Sequence, residues 1–435
     1  MSKILHVTGG KPLSGTVHVG GAKNAATKMM IASLLTDQPV VLQNCPQIED
    51  VKITAEICAA IGADVTRKGS ELRLETPTIT NTRVAGLSMA NRLSILAMSP
   101  LLRRAGEAEV PMVGGDAIGP RPVNFHLDAL KAMGAMIEVT DTAYKASAPK
   151  GLHGAAIVLP YPSVGATENI IFAAVLAQGR TRIENAAIEP EITDIVQLLQ
   201  QMGAIIEFGA NRVITIEGVE KLGGATYSIL PDRLEVASWG LVAIATGGEI
   251  KVEGARQDEL ISFLNTVRRI GGDYTVSPTG ITFRRGKGPL KAIELETDTY
   301  PGFATDWQQP MVVVLTQADG LSVVHETVYE DRFGYADDLK KMGADIGVFA
   351  KCLGELECRF RTHSQPHSAV IKGGTPLTAA NITAPDIRAG MATVVAAMVA
   401  HGESQIDGIH HLERGYENFF DKLTAIGADF HLESK

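Results

Sequence analysis

The sequence predicts an α/β protein of two lobes, each built from three helix-and-sheet repeats, six repeats in all. Three observations predict it. A helix ending in Ile or Met, then Gly, then Ala or Gly, then a strand-like segment recurs at Ile61-Gly62-Ala63, Met133-Gly134-Ala135, Met202-Gly203-Ala204, Ile270-Gly271-Gly272, Met342-Gly343-Ala344 and Ile426-Gly427-Ala428. The spacing is about seventy residues, the length of a supersecondary unit rather than of a solenoid turn. A chain of 435 residues is long for one core, so two domains are the default, and six copies divide into three per domain.

The elements follow in order. Strand-like residues stand before Gly20-Gly21, ahead of any helix, and could pair with a sheet at the far C-terminus. Gly20-Gly21-Ala22-Lys23-Asn24-Ala25-Ala26-Thr27 then precedes the first helix, a small-residue stretch with Lys23 and Asn24 its only large polar side chains. Small neighbours at a helix N-terminus let an anion approach backbone donors, although a plain helix start with a solvated Lys reads the same way. The glycine spacing is not that of a P-loop.

The stretch from Met112 to Asn124 mixes freedom, rigidity and charge. Gly114, Gly115 and Gly119 loosen the backbone, while Pro120 and Pro122 fix the direction of Arg121. Asp116 and Arg121 are thereby displayed on one arm, as in a functional loop or an ordinary surface turn.

Further along, Ile170 to Leu176 reads as an apolar helix ending at a glycine. The amphipathic helix Ile192 to Met202 carries Ile195, Leu198, Leu199 and Met202 at helical spacing. Segments 179–183, 248–252 and 320–324 match one another as strands, and 212–216 and 280–283 read as strands after the glycine caps. Leu230-Pro231-Asp232-Arg233 is the best boundary, giving one domain over 21–230, which carries the 112–124 loop, and another from 1–20 plus 231–435. Asp306 heads the first helix of the fifth unit, as an N-cap or as a general base. Arg92, Arg332, Arg388 and Arg414 lie near turns or in apolar surroundings, where guanidinium forks suit phosphate and carboxylate.

Composition narrows the classes. A net charge of -9 argues against a nucleic-acid partner. Cys45, Cys58, Cys352 and Cys358 show neither a disulfide framework nor a zinc spacing, and Cys352 and Cys358 read as fillers of apolar sites. Extra residues between Gly343 and Gly427 centre on a polar surface loop at 363–368, whose His363 and His367 lack a third metal ligand. No apolar run reaches spanning length and no signal peptide is evident, so a soluble, unanchored cytoplasmic protein is expected.

The motifs together resemble the UDP-N-acetylglucosamine 1-carboxyvinyltransferases of the enolpyruvyl transferase family, end to end. They are Gly21-Ala22-Lys23-Asn24-Ala25-Ala26, Ile118-Gly119-Pro120-Arg121-Pro122-Val123, Ser163-Val164-Gly165-Ala166-Thr167, the run from Glu184 to Glu191, the run from Glu326 to Phe333, and Arg414-Gly415-Tyr416-Glu417.

The resemblance implies two inverted α/β barrel-like domains of three repeats each, with the substrates between them. It implies transfer of enolpyruvyl from phosphoenolpyruvate to the 3-hydroxyl of UDP-N-acetylglucosamine with release of phosphate, the first committed step of peptidoglycan precursor synthesis. By the same resemblance Lys23, Arg121 and Arg414 hold phosphoenolpyruvate, with Arg332 and Arg388 lining the site. Asn24, Arg92, Asp306 and Val328 contact the UDP-sugar, and Arg121, Pro122, Val123, Asn124 and Phe125 with Ser163, Val164 and Gly165 receive its uridine and diphosphate. Tyr161 stands where some members place lysine, and Asn124 where aspartate is common.

The family's usual residue at position 116 is cysteine, and this chain has Asp116. A carboxylic acid can still donate a proton to the methylene carbon, but it is a weak nucleophile, so insensitivity to fosfomycin is expected. Asp306 takes the hydroxyl proton in this reading, and Lys23 and Arg414 stabilise the tetrahedral intermediate. No metal or organic cofactor is implied. The alternatives are 3-phosphoshikimate 1-carboxyvinyltransferase, whose Lys-Ser motif is replaced here by Lys23-Asn24, and a catalytically silent paralogue that binds nucleotide sugars.

Overall fold

Among the described residues, six small sheets, each laid beside its own helices, account for nearly all the regular structure. The computed structural model describes residues 3–89, 92–112, 123–355, 358, 360 and 364–434. Contacts divide them into two compact units, one from residues up to Gly20 together with those from Pro231 onward, the other from Gly21 to Leu230. Each unit has its own apolar core.

The repeat is complete in its third copy. Strand Ala156–Val158 leads through helix Val164–Ala174 to the parallel strand Arg180–Glu184, and helix Pro190–Gln201 leads to the hairpin Ile205–Gly209 and Val213–Glu217. Val213–Glu217 returns antiparallel to Arg180–Glu184. A parallel pair needs a crossover, and the buried helix supplies it. This helix is buried along nearly its whole length because core surrounds it, whereas Pro190–Gln201 is amphipathic. The unit ending at Lys435 has three such buried helices, Arg233–Thr246, Gln308–Thr316 and Ile387–Val399, packed on one another.

Two copies borrow their first strand from elsewhere in the chain. Gly15–His18 lies parallel to Glu249–Glu253, and Ala225–Ser228 lies parallel to Val40–Gln43. Lys3–Thr8 sits between Glu403–Asp407 and Asp429–Ser434, so the residues before Gly20 pair with the far C-terminal sheet. In the second copy the first strand shrinks to a single bridge, Arg83 to Glu109.

All six repeated glycines are left-handed, with φ from 77° at Gly427 to 117° at Gly62. In five copies the next residue's N–H reaches back across the helix end, as Ala204 N does to the Leu199 carbonyl at 2.9 Å. A side chain at φ near +90° is strained, which is why the pattern keeps glycine there. The strands read from sequence at 179–183, 248–252 and 320–324 begin and end one residue later, and the helix read as Ile170 to Leu176 runs Val164–Ala174.

One expectation is corrected. His367 and Ser368 are fully buried, and Ser368 opens strand Ser368–Lys372, so these two do not belong to a solvated loop. The reason is long-range: Ser368 Oγ lies 2.7 Å from His325 Nδ1, a partner distant in sequence. His363 lies outside the described residues. Among the described residues no helix is long and apolar enough to cross a membrane.

Candidate functional site

In the unit completed by the C-terminus, the three buried helices each begin with an acidic residue nearby. Asp232 Oδ1 accepts from Leu234 and Glu235 N, at 2.8 and 3.1 Å, and Asp386 Oδ1 accepts from Arg388 and Ala389 N, at 2.7 and 3.0 Å. Both are N-caps. Asp306 is different and corrects the cap reading. It lies within the 3-10 turn Thr305–Trp307, and its carboxylate turns to two guanidiniums, Arg332 Nη2 at 2.5 Å and Arg388 Nε at 3.5 Å. Both arginines are buried, while the Asp306 side chain keeps 23% of its surface open.

The two guanidiniums are secured from behind. Arg332 Nη1 donates to Thr305 Oγ1 at 2.7 Å, and Thr305 Oγ1 donates to Glu326 Oε2 at 2.8 Å. Glu326 Oε1 also accepts from Thr297 Oγ1, Val328 N and Tyr329 N, at 2.8, 2.9 and 3.0 Å. One buried carboxylate therefore shapes the loop that carries Val328 and Arg332. Burial pushes the Glu326 carboxyl up, and Arg332 only partly offsets it. Burial opposes the Arg332 charge, yet Asp306, Glu326 and Asp386 outweigh it and hold the guanidinium charged. Arg388 Nη1 donates to Tyr416 Oη at 3.2 Å, and Tyr416 Oη shares a 2.9 Å hydrogen bond with Ser238 Oγ. Burial again opposes the Arg388 charge, and Tyr416, Asp306 and Asp232 prevail. Arg414 follows the short helix His410–Glu413 and is half-buried.

The other unit holds the remaining described candidates. Lys23 begins helix Lys23–Ala32, which starts inside the small-residue stretch rather than after it, and its Nζ pairs with Asp50 Oδ2 at 2.7 Å. The helix has no side-chain cap, and Ala25 N and Ala26 N donate to the Ala22 carbonyl at 3.1 and 2.9 Å. Asn24 is half-buried on the same turn. Gly21 permits the close approach, since a Cβ there would stand 1.9 Å from the Asn44 carbonyl oxygen.

Arg92 opens the 3-10 helix Arg92–Ala97, Val123 and Asn124 begin helix Asn124–Ala132, and Ser163 Oγ caps helix Val164–Ala174 by accepting from Ala166 N at 3.4 Å. These segments gather on His126. A Cβ on Gly165 would lie 3.2 Å from its Cε1, and burial first, then Arg92, pushes its imidazole down to about 4. The ring is thus neutral, and its Nδ1 has no hydrogen-bond partner. Phe125 is half-buried beside it. Asp116, Arg121 and Pro122 lie outside the described residues.

Asp50, His126, Glu326 and Tyr416 were not singled out from sequence. Glu326 and Tyr416 stand inside quoted motifs, which was the available signal. Asp50 and His126 gave none, because each finds its partner only through tertiary packing.

Three comparisons place the chain among known proteins. A family model described as EPSP synthase (3-phosphoshikimate 1-carboxyvinyltransferase) matches residues 7–423. The UDP-N-acetylglucosamine 1-carboxyvinyltransferase of Protochlamydia amoebophila (strain UWE25) is 48% identical over 99% of this chain and 94% of its own length. That of Caulobacter sp. (strain K31) is 41% identical over 97% and 95%. Among solved structures, the enolpyruvyl transferase NikO from Streptomyces tendae superposes with a TM-score of 0.87 at 23% identity, covering 100% of this chain and 99% of that one. An EPSP synthase from Acinetobacter baumannii gives 0.74 at 18%, covering both chains fully. At those identities the two structures speak to the fold alone, which they share with this chain.

Proposed function

The chain belongs to the enolpyruvyl transferase family, on its UDP-N-acetylglucosamine 1-carboxyvinyltransferase branch, and from that premise we propose that it transfers enolpyruvyl from phosphoenolpyruvate to the 3-hydroxyl of UDP-N-acetylglucosamine. The observation that carries this reading is the end-to-end likeness to transferases of that name. The Asp306 cluster supports it, since a carboxylate beside two fixed guanidiniums combines a base with a holder of anions. The reaction builds a peptidoglycan precursor.

In the proposed mechanism the 3-hydroxyl oxygen attacks C2 of phosphoenolpyruvate while Asp306 accepts the hydroxyl proton and Asp116 protonates the methylene carbon. The resulting tetrahedral intermediate then loses phosphate and a methyl proton to give the enol ether. Asp306 is tied to Arg332 and Arg388. A substrate anion that draws on the guanidiniums frees it, which couples binding of the donor to activation of the acceptor. Lys23, Arg121 and Arg414 hold phosphoenolpyruvate, and Lys23 with the arginines stabilises the charge that develops on it. Lys23 is fixed for this by Asp50.

Asn24, Arg92 and Val328 contact the UDP-sugar, and Arg121 to Phe125 with Ser163, Val164 and Gly165 receive its nucleotide. His126 backs that subsite as a neutral imidazole able to share a hydrogen bond without adding charge. Phosphate release with each acceptor in turn tests the reading: release with UDP-N-acetylglucosamine and none with shikimate 3-phosphate is expected, and the reverse would transfer the chain to the other branch.

A further inference from the structure

We propose that His325, Cys352, Cys358 and His367 form a structural zinc site in the fifth repeat. The hairpin of that repeat is unusually open, with strands Asp345–Phe349 and Ser368–Lys372 separated by a long connection, and Cys352, Cys358 and His367 all belong to it. Its cysteines come back onto His325, the last residue of strand Leu321–His325. Ligand atoms of His325, Cys352 and Cys358 lie within 4.8 Å of one another, and Cys352 Sγ is 3.3 Å from His367 Nε2. The two imidazole rings stand 5.5 Å apart, centre to centre.

The orientation of the rings suits a metal. His325 Nδ1 pairs with Ser368 Oγ at 2.7 Å, and His367 Nδ1 with the Gln365 carbonyl oxygen at 2.8 Å. When Nδ1–H donates to such an oxygen, Nε2 presents its lone pair, the arrangement by which outer partners fix a metal-bound imidazole. His325 Nε2 is buried and has no hydrogen-bond partner. A buried polar atom left so is costly and calls for a partner.

The surroundings agree with a dry, closed centre. Both histidines are fully buried, Cys358 is 6% exposed, and Phe360 sets its ring edge-on to His367 at 6.0 Å. Gly354 allows the approach, because a Cβ there would fall 2.5 Å from His325 Cδ2. Two thiolates and two imidazoles are a tetrahedral zinc set. Binding displaces one proton from each thiol, so the loaded centre is neutral, and a neutral centre tolerates burial where a bare dication would not. The sequence hid the set because its fourth member sits on another strand and the cysteine spacing exceeds that of a zinc finger.

Metal analysis of the reduced full-length protein, purified without chelator, tests this directly. About one zinc per chain is expected. After stripping, cobalt should restore a thiolate-to-cobalt charge-transfer band with the intense visible bands of a tetrahedral ion. Cys352→Ser and Cys358→Ser should each lose the zinc and weaken the charge-transfer band. Reduced wild-type protein that neither holds zinc nor takes up cobalt overturns the proposal, whether or not the variants fold. So does a Cys352→Ser/Cys358→Ser double variant that keeps its zinc, or a Cys352–Cys358 disulfide in protein isolated under reducing conditions.

Discussion

Replacing Glu168 by Gln should change how stability depends on pH. Glu168 lies within helix Val164–Ala174, fully buried, and neither carboxylate oxygen has a hydrogen-bond partner. Burial pushes its carboxyl from an ordinary 4.5 up to about 7, with Lys28 opposing and Glu189 and Glu191 adding to the rise. The native state therefore keeps this proton to higher pH than the unfolded chain does. The stability it lends is full below about 4.5 and is lost as pH rises through about 7. At roughly 1.4 kcal/mol per pH unit, the loss between about pH 5 and about pH 8 is on the order of 2 to 3 kcal/mol. Gln keeps the shape and cannot ionise. Denaturant unfolding of both proteins at those two pH values gives the comparison, and differencing removes the titrations they share. Wild type should lose roughly 2 to 3 kcal/mol more than Glu168→Gln over this range. Equal losses would refute the reasoning and place the Glu168 proton elsewhere.

Three further outcomes are expected. Asp306→Asn should abolish most turnover while the far-ultraviolet circular dichroism stays near wild type; near-normal turnover would remove Asp306 from the chemistry. Tyr416→Phe deprives Arg388 and Ser238 of a shared partner, which should cost about 1 kcal/mol of stability and raise the KM for phosphoenolpyruvate more than it lowers kcat. Incubation with fosfomycin should leave the intact mass unchanged, whereas Asp116→Cys should gain a covalent adduct, because a thiolate opens the epoxide and a carboxylate scarcely does; an adduct on the wild-type protein would contradict this.

What could be read from sequence was what short-range physics decides. The six glycine caps were legible because a left-handed C-cap is a local requirement, and each glycine takes that conformation. The stretch Gly20 to Thr27 reads as the approach to the first helix, which in fact begins inside it at Lys23, because no side-chain cap marks the boundary. Asp306 shows the limit. A residue heading a helix reads as a cap, but two buried guanidiniums reach it from segments distant in the chain and win its carboxylate. Asp50 beside Lys23, and His126 between Arg92 and Gly165, are likewise products of packing that no spacing encodes. The loop that seemed solvated from its polar composition contributes two buried residues, because His325 gives Ser368 and His367 something to pack against.

The mass of the UDP-sugar after incubation with enzyme and phosphoenolpyruvate tests the central claim most directly. The account predicts a product heavier by one enolpyruvyl group, attached at the 3-oxygen, formed only when phosphoenolpyruvate is present and in step with released phosphate. Unmodified UDP-N-acetylglucosamine under conditions where the protein is folded would contradict it.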